Sequence, residues 1–366
     1  MNRMLTTITL IALWVSPAAA ETFCVSTAVE LQTALWQAES NGQHDEIRIE
    51  RGFYSTEENG SLGLGFNYST TENRDLTIRG GYSEGCLGFR GIGDAFTTVL
   101  DGGGVHQVLA IFAGDSNAIV SVRNLTIQSG YPYSDEFPAG GLYIKGFGDD
   151  ALAERVSIRQ VAFIGNEAAA GASALGIESQ GRVDVSNSLF LDNIVNALYT
   201  AIISRSMSSS EATYFINNTV VNNTALDSIT GASGIWLNNT SGSGNVAANN
   251  VFWNNSGLFD LVMSGPGGSI SNNHLLHNIV QNAFGFGGTN IGNSMADPLL
   301  DTDFSLQQDS PARDAGLSPP TNPNPPVELD WDLDLFDITY GPRLLGPGVD
   351  MGAFEYRDQL FADGFE

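Results

Sequence analysis

Three arginines stand at the same place in three short alternating segments. They are Arg79 in Leu76-Thr-Ile-Arg79, Arg123 in Val120-Ser-Val-Arg123 and Arg159 in Val156-Ser-Ile-Arg159. If these segments are neighbouring strands, the three guanidiniums form a basic stripe. A guanidinium grips a carboxylate or sulfate through two parallel N–H bonds, so the stripe suits the anionic groups of an acidic polysaccharide. The plainer alternative pairs each arginine with a nearby Asp or Glu, or lays it over apolar surface. The commonness of surface ion pairs favours that alternative. A second cluster is acidic. Asp330, Asp332 and Asp334, with Asp337 beyond them, offer carboxylates at alternate positions and are weak candidate ligands for calcium. The stretch lacks the glycine and closing glutamate of an EF-hand loop. An acidic cap segment, with Asp350 or Asp332 bonded to Arg343, explains it without a metal and is the preferred reading. His44, His106, His274 and His277 show no metal-like grouping. No cofactor is called for, and no residue earns a catalytic assignment.

The elements that would position these residues are repeats. Alternating segments begin at Val120, Val156, Val183, Tyr214, Asn245 and Gly268, and each carries Asn or Gln at its fifth place: Asn124, Gln160, Asn187, Asn218, Asn249 and Asn272. Spacings of 20–50 residues mark a solenoid, and period-two alternation rich in Val, Ile, Thr and Phe marks strands. Asn tolerates left-handed backbone at tight corners, and its amide can bond along a stack, so the fifth-place residues should form an internal ladder. In this frame Ser121, Ser157, Asp184, Phe215, Val246 and Ser269 make one outward column, with no carboxylate cluster. Phe215, Trp236 and Trp253 are candidates to stack sugar rings if exposed, although core packing is the commoner fate of such residues. Each coil also holds a small-residue strand, as in Gly140-Gly-Leu-Tyr-Ile144, and a strand ending Phe-x-x-Asn, as in Phe190-Leu-Asp-Asn193. Thr27–Glu39 is the one helical stretch, with Thr27 and Glu30 in a capping-box pattern. Eight to ten coils are expected, roughly 40–50 Å of stack at strand spacing. The fold expected is all-β, a parallel β-helix with a short N-terminal capping helix.

Composition sets the compartment and excludes some partners. The 366 residues carry 41 acidic and 15 basic side chains, a net charge of −26, with Lys145 the sole lysine. Such a chain is a poor nucleic-acid binder, since phosphate neutralisation needs clustered cations. Residues 1–20 read as a secretory signal, with Arg3, an apolar run from Leu5 to Val15, and Ala18-Ala-Ala20 before the cut. Its removal takes Arg3 and leaves −27. No later stretch is long and apolar enough for a transmembrane helix. Cys24 and Cys86 are the only cysteines, and in an exported chain they read as one disulfide.

These features resemble the right-handed parallel β-helix proteins of the pectin-lyase-like superfamily. The Gly-Gly and Phe-x-x-Asn pieces resemble polymorphic outer-membrane-protein repeats. The whole layout is most similar to bacterial choice-of-anchor Q domain proteins. That similarity rests on Leu76-Thr-Ile-Arg-Gly-Gly-Tyr82 with Cys86, Thr98-Val-Leu-Asp-Gly-Gly-Gly104, Asp297-Pro-Leu-Leu300, Asp303-Phe-Ser-Leu306, Ser310-Pro-Ala-Arg-Asp-Ala-Gly316 and Val349-Asp-Met-Gly-Ala-Phe-Glu355. It covers Cys24 to Tyr356 and implies export and surface display. The organisation expected is a signal at 1–20, β-helix at 21–317, a C-terminal loop and cap segment at 318–356, and a tail at 357–366.

Enzymes with such a fold usually act on acidic polysaccharides. A lyase needs a base, and cations to stabilise the anion; a hydrolase needs convergent carboxylates. A polygalacturonase-like set is represented only by Gly148-Asp149-Asp150, without its Gly-His-Gly or Arg-Ile-Lys partners. The leading expectation is therefore a secreted or cell-surface protein for surface interaction or binding of polysaccharide or cell-surface glycan, with no demonstrable catalytic site. The alternative is a polysaccharide lyase or glycoside hydrolase, and a third reading is a passive envelope component.

Overall fold

The computed structural model describes residues 20–358, except 62–64, 88–92, 114–117, 133–138, 147–153, 170, 197–198, 206–211, 227–232, 240–243, 266–267 and 319–332. The signal segment, Asp149, Asp150, Asp330, Asp332 and the end of the tail lie outside the described residues.

The chain is mostly β, with parallel sheets and one α-helix among the described residues. It visits three sheets in a fixed order. One circuit runs through Arg182–Ser186 and Leu189–Leu191 of the main sheet, then Ile194–Val195 of a short sheet, then Tyr199–Arg205 of the second sheet. It returns to the main sheet at Thr213–Ile216, beside the strand it left. The repeat length is 36, 27, 30, 32 and 28 residues over successive circuits. Stacked sheets of this kind are compatible with a parallel β-helix.

Inward positions are apolar and build one continuous core. Phe163, Phe190, Phe215 and Phe252 stack up its centre, with ring centroids 4.9, 5.8 and 6.1 Å apart. Phe215 is thus internal and fully buried, not part of an outward column. The expected frame slipped by one residue there: Val183 pairs with Thr213, and Tyr214 is the outward partner of Asp184. A one-residue slip exchanges the faces of a strand. In the next pass Val246 pairs with His274, so the last copy begins five residues later than expected and His274 replaces Ser269 in the column.

Corners explain the asparagines in two ways. Asn124, Gln160, Asn187, Asn217, Asn249 and His277 all have positive φ, between 49° and 57°. Asparagine adopts that backbone more readily than most residues. The internal ladder lies one residue further on. Asn218 donates its side-chain amide to Asn250, Asn250 to Asn278 and Asn278 to Asn293, at 3.1, 2.8 and 2.9 Å. A second ladder runs Asn166, Asn193, Asn223, Asn255, and three of these end the Phe-x-x-Asn pieces. In both ladders the side-chain oxygen also accepts the backbone N–H of the preceding circuit. The Gly-Gly strands are explained by close approach: a Cβ on Gly140 or Gly141 would collide with the backbone of the next circuit.

The helix Ala28–Ala38 closes the N-terminal end, burying Leu31, Leu35 and Ala38. Thr27 Oγ1 accepts from Glu30 N at 3.2 Å, while the Glu30 carboxylate reaches back to Ser26. Cys24 and Cys86 form a disulfide, Cα–Cα 5.8 Å, joining the first strand to the turn after Leu76–Tyr82.

After the last circuit the chain turns back along the outside of the main sheet. Leu317 pairs with Asn249, Asp350 O accepts from Asn217, and Ala353 N donates to Thr219 Oγ1. Asp334 receives Asn187, while Phe336 O and Asp337 O receive Gln160. Tyr340 reaches Arg79. The segment is a strap across successive circuits, held by the amides of the corner residues.

Candidate functional site

The main-sheet register places the arginines side by side. Arg79 pairs with Arg123, and Arg123 with Arg159. A fourth residue, Arg48, pairs with Arg79 and extends the row. Each follows an inward apolar residue: Ile47, Ile78, Val122 and Ile158. That recurring apolar-Arg dipeptide is the signal by which Arg48 is legible in the sequence. Strands a few ångströms apart, about 4.8 Å, set the rise of the row.

All four guanidiniums are half-buried and held at the outer face. Arg48 Nη2 meets Glu46 Oε2 at 2.7 Å and stacks over Tyr82, 5.5 Å to the ring centroid. Arg79 lies over the same ring at 5.7 Å and donates to Tyr340 Oη at 2.7 Å. Its Nε has no hydrogen-bond partner, and no carboxylate is paired with it among the described residues. Arg123 donates twice to Ser121 Oγ, at 3.2 and 2.7 Å. Arg159 donates to Ser157 Oγ and pairs with Asp334 Oδ1 at 3.2 Å. Serine two residues before the arginine therefore fixes both Arg123 and Arg159. The hydroxyl of Tyr82 donates to Glu46, and burial raises its pKa.

Asp334 is engaged by protein. It accepts from Arg159, from Ser186 Oγ at 2.9 Å and from Asn187 Nδ2 at 2.6 Å. Those donors satisfy a carboxylate as a strap anchor. The one close group of metal-capable side chains among the described residues is Cys24, Glu50 and Cys86, and the disulfide removes its thiolates. The exposed sugar-stacking candidates are reduced as well. Phe215 is in the core, while Trp236 lies against Tyr199 and donates to Ser264.

Around the strap lie two open clefts of about 570 and 480 Å³, which share Glu355, Tyr356, Arg357 and Asp358. Beneath them is an ionic knot. Arg343, 1% exposed, donates to the carbonyls of Asp350 and Gly352 at 2.7 and 2.6 Å. Its ion-pair partner is Glu355, at 3.9 Å. Burial pushes Glu355 up to about 7, helped by the charge of Asp350, and burial also raises Asp350. Asp337 ties the knot by accepting from Thr339, Gly341, Glu355 and Arg357. These residues weld the strap to itself; the Asp350 carboxylate, expected to bond Arg343, instead receives the backbone N–H groups of Asp314 and Tyr356.

No family model, no curated protein and no solved structure matches the chain.

Proposed function

We propose that the protein is an exported, right-handed parallel β-helix of the choice-of-anchor Q kind that holds an acidic glycan along the row Arg48, Arg79, Arg123 and Arg159. Right-handedness follows from the strong bias of parallel crossover connections. Export is supported by the leader pattern of residues 1–20 and by the disulfide, which suits an oxidising compartment. The observation that carries the reading is the in-register row of four arginines on a chain of net charge −26. A polyanion with one charge per sugar offers a carboxylate or sulfate to each successive strand. Arg48 is paired with Glu46 and Arg159 with Asp334, so Arg79, whose Nε has no hydrogen-bond partner, is the point of strongest attraction. The expected role is binding, without bond cleavage.

Retention on a panel of uronic-acid and sulfated polysaccharides tests this. The wild type should be retained, and raised salt should release it. Arg79→Ala with Arg123→Ala should weaken retention by roughly tenfold or more, the scale of a lost charge-assisted contact. Retention by no member of the panel sinks the binding reading. Release of unsaturated uronide or reducing ends from the same polymers favours the alternative, a polysaccharide lyase or glycoside hydrolase.

A further inference from the structure

The two ends of the stack differ in a way that the arginine row does not explain. The N-terminal end is closed by the helix Ala28–Ala38, which packs on the first strands and carries Glu30. At the opposite end the last strands, Ala283–Phe284 in the second sheet and Asn290–Ile291 in the main sheet, are edges. Among the described residues the chain does not cap them: residues 297–318 leave for the flank, where Leu306 and Ala312 pack on Val251 and Ile279. Open sheet edges display unpaired N–H and C=O groups and pair with other chains unless charge, proline or cover prevents it.

Charge does not protect this end. From Ser228 to Ala296 the only charged side chain is Asp260. It is buried, and its carboxylate accepts from Asn255 and from the backbone of Gln281 and Asn282. Apolar side chains project there instead: Met295 is 69% exposed, Phe284 59%, Ile291 54% and Ile270 41%.

We infer that the C-terminal end of the stack is the interface of a homodimer, two copies meeting end to end. Charge selects a second copy. Two molecules of net charge −26 repel over most of their surfaces, and the uncharged end is where that repulsion is weakest. At the N-terminal end the first strand carries Glu21 and lies against the helix with its Glu30, so the uncharged apolar end does not match it, and the contact closes on itself as an isologous pair. A two-fold axis through the end sets each edge strand antiparallel to its counterpart, a pairing that sheets accept. Each edge is only two residues long, so burial of Phe284, Ile291 and Met295 supplies most of the attraction.

Sedimentation of the chain processed after Ala20 tests the interface. A dimer is expected at micromolar concentration, undiminished in about 1 M NaCl because no charges cross the contact. Ile291→Asp with Met295→Asp should give a folded monomer with an unchanged far-ultraviolet circular dichroism spectrum, since both side chains are exposed. Phe284→Lys should do the same should the first variant misfold. A wild type monomeric up to about 100 µM overturns the inference, as does a dimer that these variants leave intact. Open-ended filaments overturn it too. A chain that dimerises only when cut after Asp358 names its own tail, not a second copy, as the occupant of the end.

Discussion

Asn193 shows how much one residue carries here. Its backbone N–H and side-chain amide both bond to Asn223 Oδ1, and the same amide donates to the carbonyl of Phe163. In turn its own oxygen accepts two bonds from Asn166. All this happens at a fully buried position, where an unmet polar group costs about 1–3 kcal/mol. Asn193→Ala strands donors in the circuit before it and an acceptor at Phe163, so a loss of roughly 2–4 kcal/mol is expected from denaturant unfolding, provided the transition stays two-state. The Phe-x-x-Asn spacing already marked this residue. The equivalent Asn223 stands outside that pattern, because its circuit has Val220 where the others have Phe. Arg48 was similarly legible once the apolar-Arg dipeptide is read as a repeat. The face assigned to Phe215 was not. Tyr214-Phe-Ile216 is apolar on both faces, since Tyr214 and Ile216 are covered outside by a cluster that includes Leu317. Without alternation, the sequence offers no phase.

The phenylalanine column belongs to the strands as elements. Phe190 touches rings above and below, so its loss leaves a void that parallel strands on either side cannot close. Phe190→Ala should cost about 3–5 kcal/mol in the same measurement. A change near zero would mean that the stack slides to fill the gap. The strap is the other element whose position governs stability. Its knot of Arg343, Asp350 and Glu355 is buried, and Glu355 keeps its proton in the folded chain up to about pH 7 against 4.5 in the open chain. Between those values the folded state holds a proton that the unfolded state has released. The contribution of Glu355 is therefore fullest below about pH 4.5 and is lost as pH rises through about 7. Unfolding midpoints should fall across that window, and Glu355→Gln should flatten the slope. A wild-type slope of the opposite sign there would assign the dominant titration to another group.

At the scale of the whole molecule, charge is sorted by position. Four arginines share one row near the N-terminal half, carboxylates gather in the strap, and the last circuits are nearly uncharged. The strap ties these regions together by running from Asn249 back to Arg79 along the corner residues. The glycan assay, read with Asp334→Ala, connects the two scales. Removing that carboxylate takes away the negative charge paired with Arg159, so retention of an acidic polymer should rise if the row is the binding face, and stay level if the row only anchors the strap.

The sequence by itself determined the strands, the corners, the helix cap and the pairing of Cys24 with Cys86. Each follows from local preference, from a repeat or from the presence of only two cysteines. Tertiary structure decided the rest. The frame of the later circuits depends on which apolar face the strap covers. The partners of Arg159 and Arg79, Asp334 and Tyr340, lie 175 and 261 residues away. No periodicity relates a strand to a segment that returns across it, so only the folded chain shows where those contacts fall.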